Sequence, residues 1–431
     1  MSAEKPKPNG SPSKEDTGKV FLEEVTKRPD RGMTRRQRAM QSMLVPVLAI
    51  FTGLVLGAVV IVLTTPAFYA ALSESILAGI KVAWETVKLA YGALFVGAFG
   101  SPQEMLTALA SGDPAAIRQA FYPFFESLVA ATPYIFGGLS VALGFRVGLF
   151  NIGAEGQLFM GAIFATFVGY ALTGLPIFIH MPLAFLAGAV GGGLWGFIPG
   201  FLKARTGAHE VINTIMMNYI AFRLSEWLLT GPMQRSGSFN PVSPFVLESA
   251  WLPRFFADPI RFHSGFFIAL FMAWLVYWLL WKTKWGFSLR MVGSNPHAAR
   301  YAGVKVPIGI IVGMTLAGAL AGMAGGNEVL GINHSLAMAF SSGYGFDSIA
   351  IALLGNSHPL GVVLAALLFG ALRNGATNMQ VAAGIPIDII SIVQAMVLVF
   401  IAAPAIIRTI FHLRAPTELE EGGMITSWGG K

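Results

Sequence analysis

The sequence alternates between long apolar runs and shorter polar segments. Residues 182–202 and 307–326 are two such runs, and neither contains Asp, Glu, Lys or Arg. A helix needs about 20 apolar residues to cross the hydrocarbon core of a bilayer. Charged residues make up 12% of the chain, whereas soluble domains carry about 25%. The predicted fold class is therefore all-α, a polytopic membrane helix bundle.

We predict about ten transmembrane helices, some of them discontinuous. Two short apolar pieces, 346–354 and 359–375, lie in a region that Gly, Pro and polar residues interrupt. The continuous spans are predicted at 44–64, 126–146, 156–173, 182–202, 210–230, 264–281, 307–326 and 386–411.

Basic residues are concentrated at the N-terminus and between certain apolar runs. Of the 29 Lys and Arg residues, 10 precede residue 44, and the net charge is +7. This distribution follows the positive-inside rule for membrane proteins. Nucleic-acid binding instead needs basic residues clustered on one folded surface, so we expect no nucleic-acid partner.

The charge distribution divides the chain into two cytoplasmic tails and one membrane domain, with both termini in the cytoplasm. The predicted parts are a disordered basic tail at 1–43, a membrane domain at 44–411 with external segments at 65–125 and 231–263 and a cytoplasmic segment at 282–306, and a second tail at 412–431.

Glycines recur every fourth residue in two of the predicted spans. They are Gly188, Gly192, Gly196 and Gly200 in one span, and Gly318, Gly322 and Gly326 in the other. This spacing places them on one helix face, where the missing side chains let a neighbouring backbone approach closely. We predict tight helix packing along both faces.

Polar residues interrupt the apolar sequence at 148–162, GLFNIGAEGQLFMGA. Irregular backbone at membrane depth persists only where protein or water satisfies its polar groups, and such breaks mark the substrate path in many transporters. Asn151, Glu155 and Gln157 therefore either line a polar path or brace the fold through hydrogen bonds. Glu155 could also pair with Arg146.

A second interrupted region covers residues 325–364 and contains Asn333, His334 and Asp347 among apolar residues. The stretch GYGFDSIAIALLG (343–355) is typical of a short half-helix that follows a glycine turn. One interrupted segment in each half of a chain indicates a binding site near the bilayer midplane.

The segment 281–307 is basic and contains SNPHAARYAGV. Asn295 and Pro296 are suited to a helix start, and Gly303 is suited to its end. The pattern fits either an ordinary cytoplasmic loop or a short helix that acts as a lever for a cytosolic partner.

Several patterns exclude catalytic and cofactor chemistry. There are no cysteines and the seven histidines are scattered, so we expect no metal site. HEVIN (209–213) has Asn213 where a zinc-protease helix needs its second His. No G-x-x-x-x-G-K-[ST] phosphate loop occurs. We expect no enzyme activity and no cofactor, and any ATP that drives the protein would bind another chain.

Four stretches together carry a resemblance to a known family: ALGFRVGLFNIGAEGQLFMGA (142–162), GAHEVINTIMMNYIA (207–221), SLRMVGSNPHAARYAGVKV (288–306) and GYGFDSIAIALLGNSHPLG (343–361). They resemble inner-membrane permease subunits of bacterial ABC importers for nucleosides and simple sugars, which are related to the ribose and branched-chain amino-acid permeases.

The resemblance implies a type II ABC importer permease in the bacterial cytoplasmic membrane, forming the translocation path for nucleosides. Its partners would be membrane lipid, ABC ATPase subunits, a second homologous permease or a second copy, and an extracytoplasmic substrate-binding protein. The expected path residues are Asn151, Glu155, Asn333, His334, Phe340, Tyr344 and Asp347, and the expected ATPase-coupling residues are Gly293, Asn295, Pro296, Ala299 and Gly303.

Three alternatives stay open from the sequence. An importer for a simple sugar would differ in substrate alone. An ion-coupled secondary transporter would use intramembrane carboxylates such as Glu155 and Asp347 as ion sites. A membrane-embedded enzyme is disfavoured, because the spans carry no nucleophile with a neighbouring base.

Overall fold

A computed structural model describes residues 35–386, 388–402 and 404–412. The chain divides into two units, residues 1–48 and 49–431. The first is described only as the start of one helix, and the packing below concerns the second. The helices are α1 Arg35–Thr64, α2 Pro66–Glu74, α3 Ile76–Phe99, α4 Pro102–Ser111, α5 Pro114–Arg146, α6 Ala154–Ala171, α7 Ile177–Thr206, α8 Glu210–Thr230, α9 Gly265–Lys282, α10 Lys284–Ser294, α11 Pro296–Tyr301, α12 Val306–Glu328, α13 Tyr344–Leu354, α14 Pro359–Ala383, α15 Asp388–Ala402 and α16 Pro404–Ile410.

The all-helical fold is confirmed within these ranges, where β-structure is limited to two isolated antiparallel bridges. Seven helical segments are long and apolar enough to cross a membrane: Pro46–Thr64, Ile76–Ser111, Pro114–Arg146, Ile177–Thr206, Gly265–Lys282, Val306–Asn333 and Pro359–Ala383. The protein is therefore multi-pass.

The count of about ten spans is not confirmed and stays a prediction. The predicted spans 156–173, 210–230 and 386–411 fall on α6, α8 and α15–α16, which are not among the seven segments. Helix α6 has Glu155 and Gln157 in its first turn, which lowers its mean hydropathy although the helix is largely buried.

The predicted tails fall mostly outside the described residues, which exclude 1–34 and 413–431. Helix α1 begins at Arg35, so the last part of the predicted N-terminal tail is helical. The external position of 65–125 also stays a prediction, and this stretch includes Ile76–Ser111, whose length and composition suit a membrane span.

Helix α3 packs against α14 through small residues. A Cβ on Gly97 would overlap the Asn378 side chain and lie 3.1 Å from the Gly375 Cα. The Asn374 side chain donates to the Gly97 carbonyl at 2.9 Å. These contacts tie the residues before α5 to the main bundle.

The predicted close packing of the two glycine faces is confirmed, and the faces meet each other. Helices α7 and α12 cross with Gly192 against Gly318 and Gly322, where a Cβ on Gly192 would lie 2.6 Å from the Gly322 Cα. A Cβ on Gly196 would lie 3.1 Å from the Gly318 Cα. The backbones touch because neither helix has a side chain at the crossing.

The hydrophobic core surrounds α5. Tyr134, Phe136 and Leu139 on this helix are fully buried, together with apolar residues of α6, α7, α9, α12, α13 and α14. This core holds both ends of the two interrupted segments, 147–153 and 329–343, in fixed positions.

The loop 231–263 packs on the second interrupted segment. Val242 forms an isolated bridge with Ala337, and the Ser243 hydroxyl accepts from the Leu336 amide at 2.8 Å. The Leu252 amide donates to the Leu330 carbonyl at 3.0 Å. The loop thus pairs its backbone with a short π-helix, Val329–Asn333, and with the irregular chain that follows it.

Candidate functional site

The first interrupted segment, 147–153, separates α5 from α6. Gly148 has φ +77°, a conformation that favours glycine. Asn151 Nδ2 donates to Gln157 Oε1 at 2.8 Å, and Gln157 Nε2 donates to Asn151 Oδ1 at 3.1 Å. Both amides are 0–1% exposed, so they satisfy each other across the break.

Asn218 of α8 closes the same break from the other side. Its Oδ1 accepts from the Gly156 amide at 2.8 Å, and its Nδ2 donates to the Ile152 carbonyl at 3.0 Å. Sequence analysis did not single out Asn218, although it lies in the family-like stretch 207–221. The polar residues of this segment supply the backbone partners that lipid cannot.

Glu155 joins the two interrupted segments. It is 3% exposed, and its carboxylate accepts from Ser341 Oγ at 2.5 Å and from the Gly345 amide at 2.6 Å. Gly345 is in the first turn of α13, where an acidic group is favourable. A Cβ on Gly345 would lie 2.5 Å from the Glu155 Cα, so this approach needs glycine.

The alternative partner of Glu155 is bonded elsewhere. Arg146 Nη2 donates to the Asn356 carbonyl at 2.9 Å and its Nε to the Ser357 carbonyl at 3.0 Å. Arg146 therefore fastens the end of α5 to the turn between α13 and α14, and the suggested Glu155–Arg146 pair does not form.

A partly exposed polar cluster lies beside the Glu155 contact. Arg373 Nη1 donates to Tyr134 Oη at 2.7 Å, and Tyr134 Oη donates to Asp347 Oδ2 at 2.8 Å. The Arg373–Asp347 ion pair measures 3.7 Å, with the two side chains 29% and 33% exposed. Arg373 also bonds Ser342. We call Ser342, Tyr134, Tyr344, Asp347 and Arg373 the polar cluster.

Of the polar cluster, sequence analysis identified Asp347 and Tyr344 and missed Ser342, Tyr134 and Arg373. The Arg373 guanidinium lies 4.8 Å from the Tyr344 ring centroid, and the Tyr134 and Tyr344 rings pack edge to face at 5.1 Å. The available signal was that Arg373 is a basic residue inside a membrane helix, which by itself suggests function.

Phe340 stands at the edge of the same region and is partly buried. Its ring packs edge to face on Phe159 at 4.8 Å, and Phe159 packs on Phe222 at the same distance. One side of the Phe340 ring is therefore fixed by the protein core.

His334 lies beneath the loop 231–263, away from the Glu155 contact. Its ring stacks on Trp251 with centroids 3.9 Å apart, and Arg254 Nη2 donates to its Nε2 at 3.1 Å. Burial, and to a smaller extent the nearby Arg254 charge, together lower the pKa of His334 to about 4. Asn333 is exposed.

The short helix predicted in the basic segment is confirmed as α11. Asn295 caps it by accepting from the His297 and Ala298 amides, each at 3.0 Å. Pro296 is its first residue, and Gly303 has φ +81° just after its end. The predicted start and stop residues therefore act as expected.

Ala299 and Gly293 face the bundle. Ala299 is fully buried among Val292, Val306 and Met314. A Cβ on Gly293 would lie 2.8 Å from the Gly148 amide nitrogen. The backbone before α11 thus touches the first interrupted segment directly. The exposed face of α11 is formed by other residues, with Tyr301 95% exposed.

These features define a membrane transport subunit: a helical bundle with two interrupted polar segments and a short surface helix whose preceding residues contact one of them. The family described as the permease component of the branched-chain amino acid transport system matches residues 123–402. The chain belongs to this family.

Several curated relatives are similar over most of the chain. The guanosine ABC transporter permease protein NupP of Bacillus subtilis is 39% identical over 382 residues, which covers 86% of this chain and 96% of that protein. The nucleoside ABC transporter permease protein NupB of Lactococcus lactis is 33% identical over 377 residues, covering 85% and 93%.

The glucose ABC transporter permease protein TsgB13 of Haloferax volcanii is 38% identical over 288 residues, covering 64% of this chain and 75% of that protein. No solved structure matches the chain.

Proposed function

We propose that this chain is the transmembrane permease subunit of an ATP-driven ABC importer for nucleosides. The observation that carries the proposal is the similarity to the guanosine permease NupP, at 39% identity over 96% of that protein's length. The similarity to the nucleoside permease NupB supports the same substrate class.

The polar cluster suits a nucleoside as cargo. A nucleoside offers hydroxyl groups and a base edge and carries no net charge, so it needs hydrogen-bonding groups and aromatic faces. Asp347 and Arg373 are partly exposed and neutralise each other, and the Phe340 ring is partly exposed. We assign Phe340, Tyr344, Asp347 and Arg373 to the substrate path, where stacking on an aromatic ring would stabilise a base.

Asn151 and Glu155 take a different role in this proposal. Their side chains are buried, and their polar atoms bond within the protein. They hold the two interrupted segments in register and shape the path without touching the cargo. Asn333 is exposed and His334 lies under the loop 231–263, so both belong to the path's outer end.

Helix α11 is the coupling helix of the proposal. Exposed residues of α11, Tyr301 foremost, would contact the ATPase, while buried Ala299 anchors the helix to the bundle. Motion of the ATPase would reach the first interrupted segment through the contact of Gly293 with Gly148. A short rigid helix transmits such motion better than a loose loop.

The complete importer would contain two permease halves, either two copies of this chain or this chain and a homologue, with ATPase chains on the α11 side. We place the protein in a bacterial cytoplasmic membrane as a type II importer permease with about ten spans and both termini in the cytoplasm. A substrate-binding protein would deliver cargo at the side of the loop 231–263.

Uptake in a strain without its own nucleoside importers tests the proposal. The chain is expressed together with the ATPase, the second permease and the binding protein that neighbouring genes encode, and these cells should accumulate labelled guanosine. Unlabelled nucleosides should compete with this uptake, and glucose should not. Uptake should stop when ATP is depleted. Competition by glucose alone would support the sugar alternative, which the similarity to TsgB13 favours.

The ion-coupled alternative predicts the opposite energetic dependence. Collapse of uptake on adding an uncoupler, with cellular ATP maintained, would support a secondary transporter and overturn the importer proposal.

A further inference from the structure

A basic cavity lies where α9 meets α10. It has a volume of about 500 Å³ and is lined by Trp281, Lys282, Thr283, Lys284, Phe287, Ser288, Arg290, Met291, Ala302 and Val304. Three of these side chains are cationic, and none is acidic. The cavity shares no residue with the polar cluster, and Ala302 in its wall directly follows α11.

The positive charge of this cavity has no acidic partner within the part of the chain that the structure describes. Among the residues that the structure describes, Lys282, Lys284 and Arg290 form no ion pair. Residues 259–327 contain no Asp or Glu at all. A second arginine, Arg146, adds to the field, because its guanidinium lies 5.5 Å from the Trp281 ring centroid.

Arg290 is held in position at the cavity wall. Its Nε donates to the Leu280 carbonyl at 2.9 Å, and its guanidinium lies 5.8 Å from the Trp281 ring centroid. Trp281 thus contacts two guanidinium groups of like charge, an arrangement that an anion in the cavity would stabilise.

An apolar surface leads directly to this cavity. Helix α9 exposes Phe267, Phe271, Trp274 and Trp278, each between 45% and 56% exposed. Their spacing of three or four residues places them on one helix face. The next helix also exposes Trp285 and Phe287, which are 69% and 55% exposed, and Phe287 lines the cavity. Tryptophan, which occurs here at Trp274, Trp278 and Trp285, is typical of the membrane interface.

We propose that this cavity binds the headgroup phosphate of an anionic phospholipid. Lys282, Lys284 and Arg290 would contact the phosphate, while the acyl chains lie along the aromatic face of α9. Continuity of the cavity with that face favours a lipid over a free anion or an acidic protein surface. The inference uses the proposed function only to place this end of the bundle at the cytoplasmic membrane surface.

Native mass spectrometry of the assembled transporter tests the site. The delipidated complex is titrated with phosphatidylglycerol and with phosphatidylcholine of identical acyl chains, and retained lipid is counted. A basic residue that reaches the headgroup of a bound anionic lipid contributes about five-fold to its affinity. Lys282→Gln and Lys284→Gln should each lower the affinity for phosphatidylglycerol about five-fold. The double variant should lower it further than either single variant.

Lys305→Gln is the matched control, because Lys305 is an exposed lysine of the same segment that does not line the cavity. It should leave lipid affinity unchanged. Equal retention of the two lipids by the wild-type complex would overturn the proposal, and this measurement needs no variant to fold. Complete competition by inorganic phosphate would also overturn it, since it would identify a free-anion site.

A docking face for the ATPase would give a different result. Loss of the ATPase from the double variant during gel filtration, with phosphatidylglycerol retention unchanged, would contradict the lipid site. The outcome is independent of the proposed transport function, because lipid binding is measured without ATP or substrate, and ATP-driven nucleoside uptake can succeed or fail separately.

Discussion

Replacing Glu155 with Gln tests whether this residue braces the fold or lines the path. The carboxylate accepts one bond from Ser341 and one from the backbone of Gly345. Glutamine has nearly the same shape, so its Oε1 can still accept from the Gly345 amide. Its Nε2 can donate to the Ser341 hydroxyl, which must then turn to accept. Both contacts survive, but both lose their charge assistance.

The expected loss of stability follows from these two contacts. A hydrogen bond to a charged group contributes about 1.5–3 kcal/mol and a neutral one about 0.5–1.5 kcal/mol, so two bonds lose about 2 kcal/mol. Loss of the negative charge at the start of α13 adds about 0.3–1 kcal/mol. Glu155→Ala should cost a further amount of about 1–3 kcal/mol, because the buried Gly345 amide is then left without a partner.

The assay combines thermal unfolding in detergent with uptake of labelled guanosine at matched amounts of protein. The unfolding temperature should fall from wild type to Glu155→Gln and again to Glu155→Ala. Glu155→Gln should retain uptake at temperatures well below its unfolding. Glu248→Gln is the control, because Glu248 is exposed and should be neutral in both measurements.

A wild-type unfolding temperature combined with lost uptake in Glu155→Gln would refute the bracing role. That result would mean that the carboxylate acts on the cargo or on an ion.

Three further predictions concern coupling, the path and the loop 231–263. Gly293→Ala should keep ATP hydrolysis but reduce uptake per ATP, because a Cβ there would push against the backbone of Gly148 at a cost of about 1–3 kcal/mol; unchanged coupling would contradict this. Arg373→Gln should reduce uptake far more than it lowers the unfolding temperature, since its partner Asp347 is partly exposed and can be hydrated; an equal loss of both would indicate a structural role. The pKa of His334 is lowered to about 4 in the folded protein. Between about pH 6.5 and 4, His334 is therefore protonated in the unfolded chain but not in the folded one, and stability should fall as the pH drops through this range. Unfolding temperatures of the wild type and His334→Gln across this range should differ in slope, and parallel curves would contradict the assignment.

Sequence patterns by themselves determined the membrane class and where the short helix α11 starts and ends. Apolar runs, few charges and glycines at every fourth residue depend only on composition and helix geometry, so they were read directly. The start of α11 at Asn295 and Pro296 and its end near Gly303 were also read from sequence, because caps involve residues that are neighbours along the chain.

The tertiary structure alone decided what the polar residues contact. Glu155 meets Gly345 and Ser341, and Asn151 meets Gln157 while Asn218 closes the same break. Arg373 reaches Asp347 through Tyr134. Except for the Asn151–Gln157 pair, these partners are far apart in sequence, and no periodicity links them. Helix packing brings them together, and the same packing turns Ala299 inward and leaves Tyr301 exposed. A burial pattern of this kind depends on which face of a six-residue helix meets the bundle, and six residues are too few for an apolar stripe to specify that face.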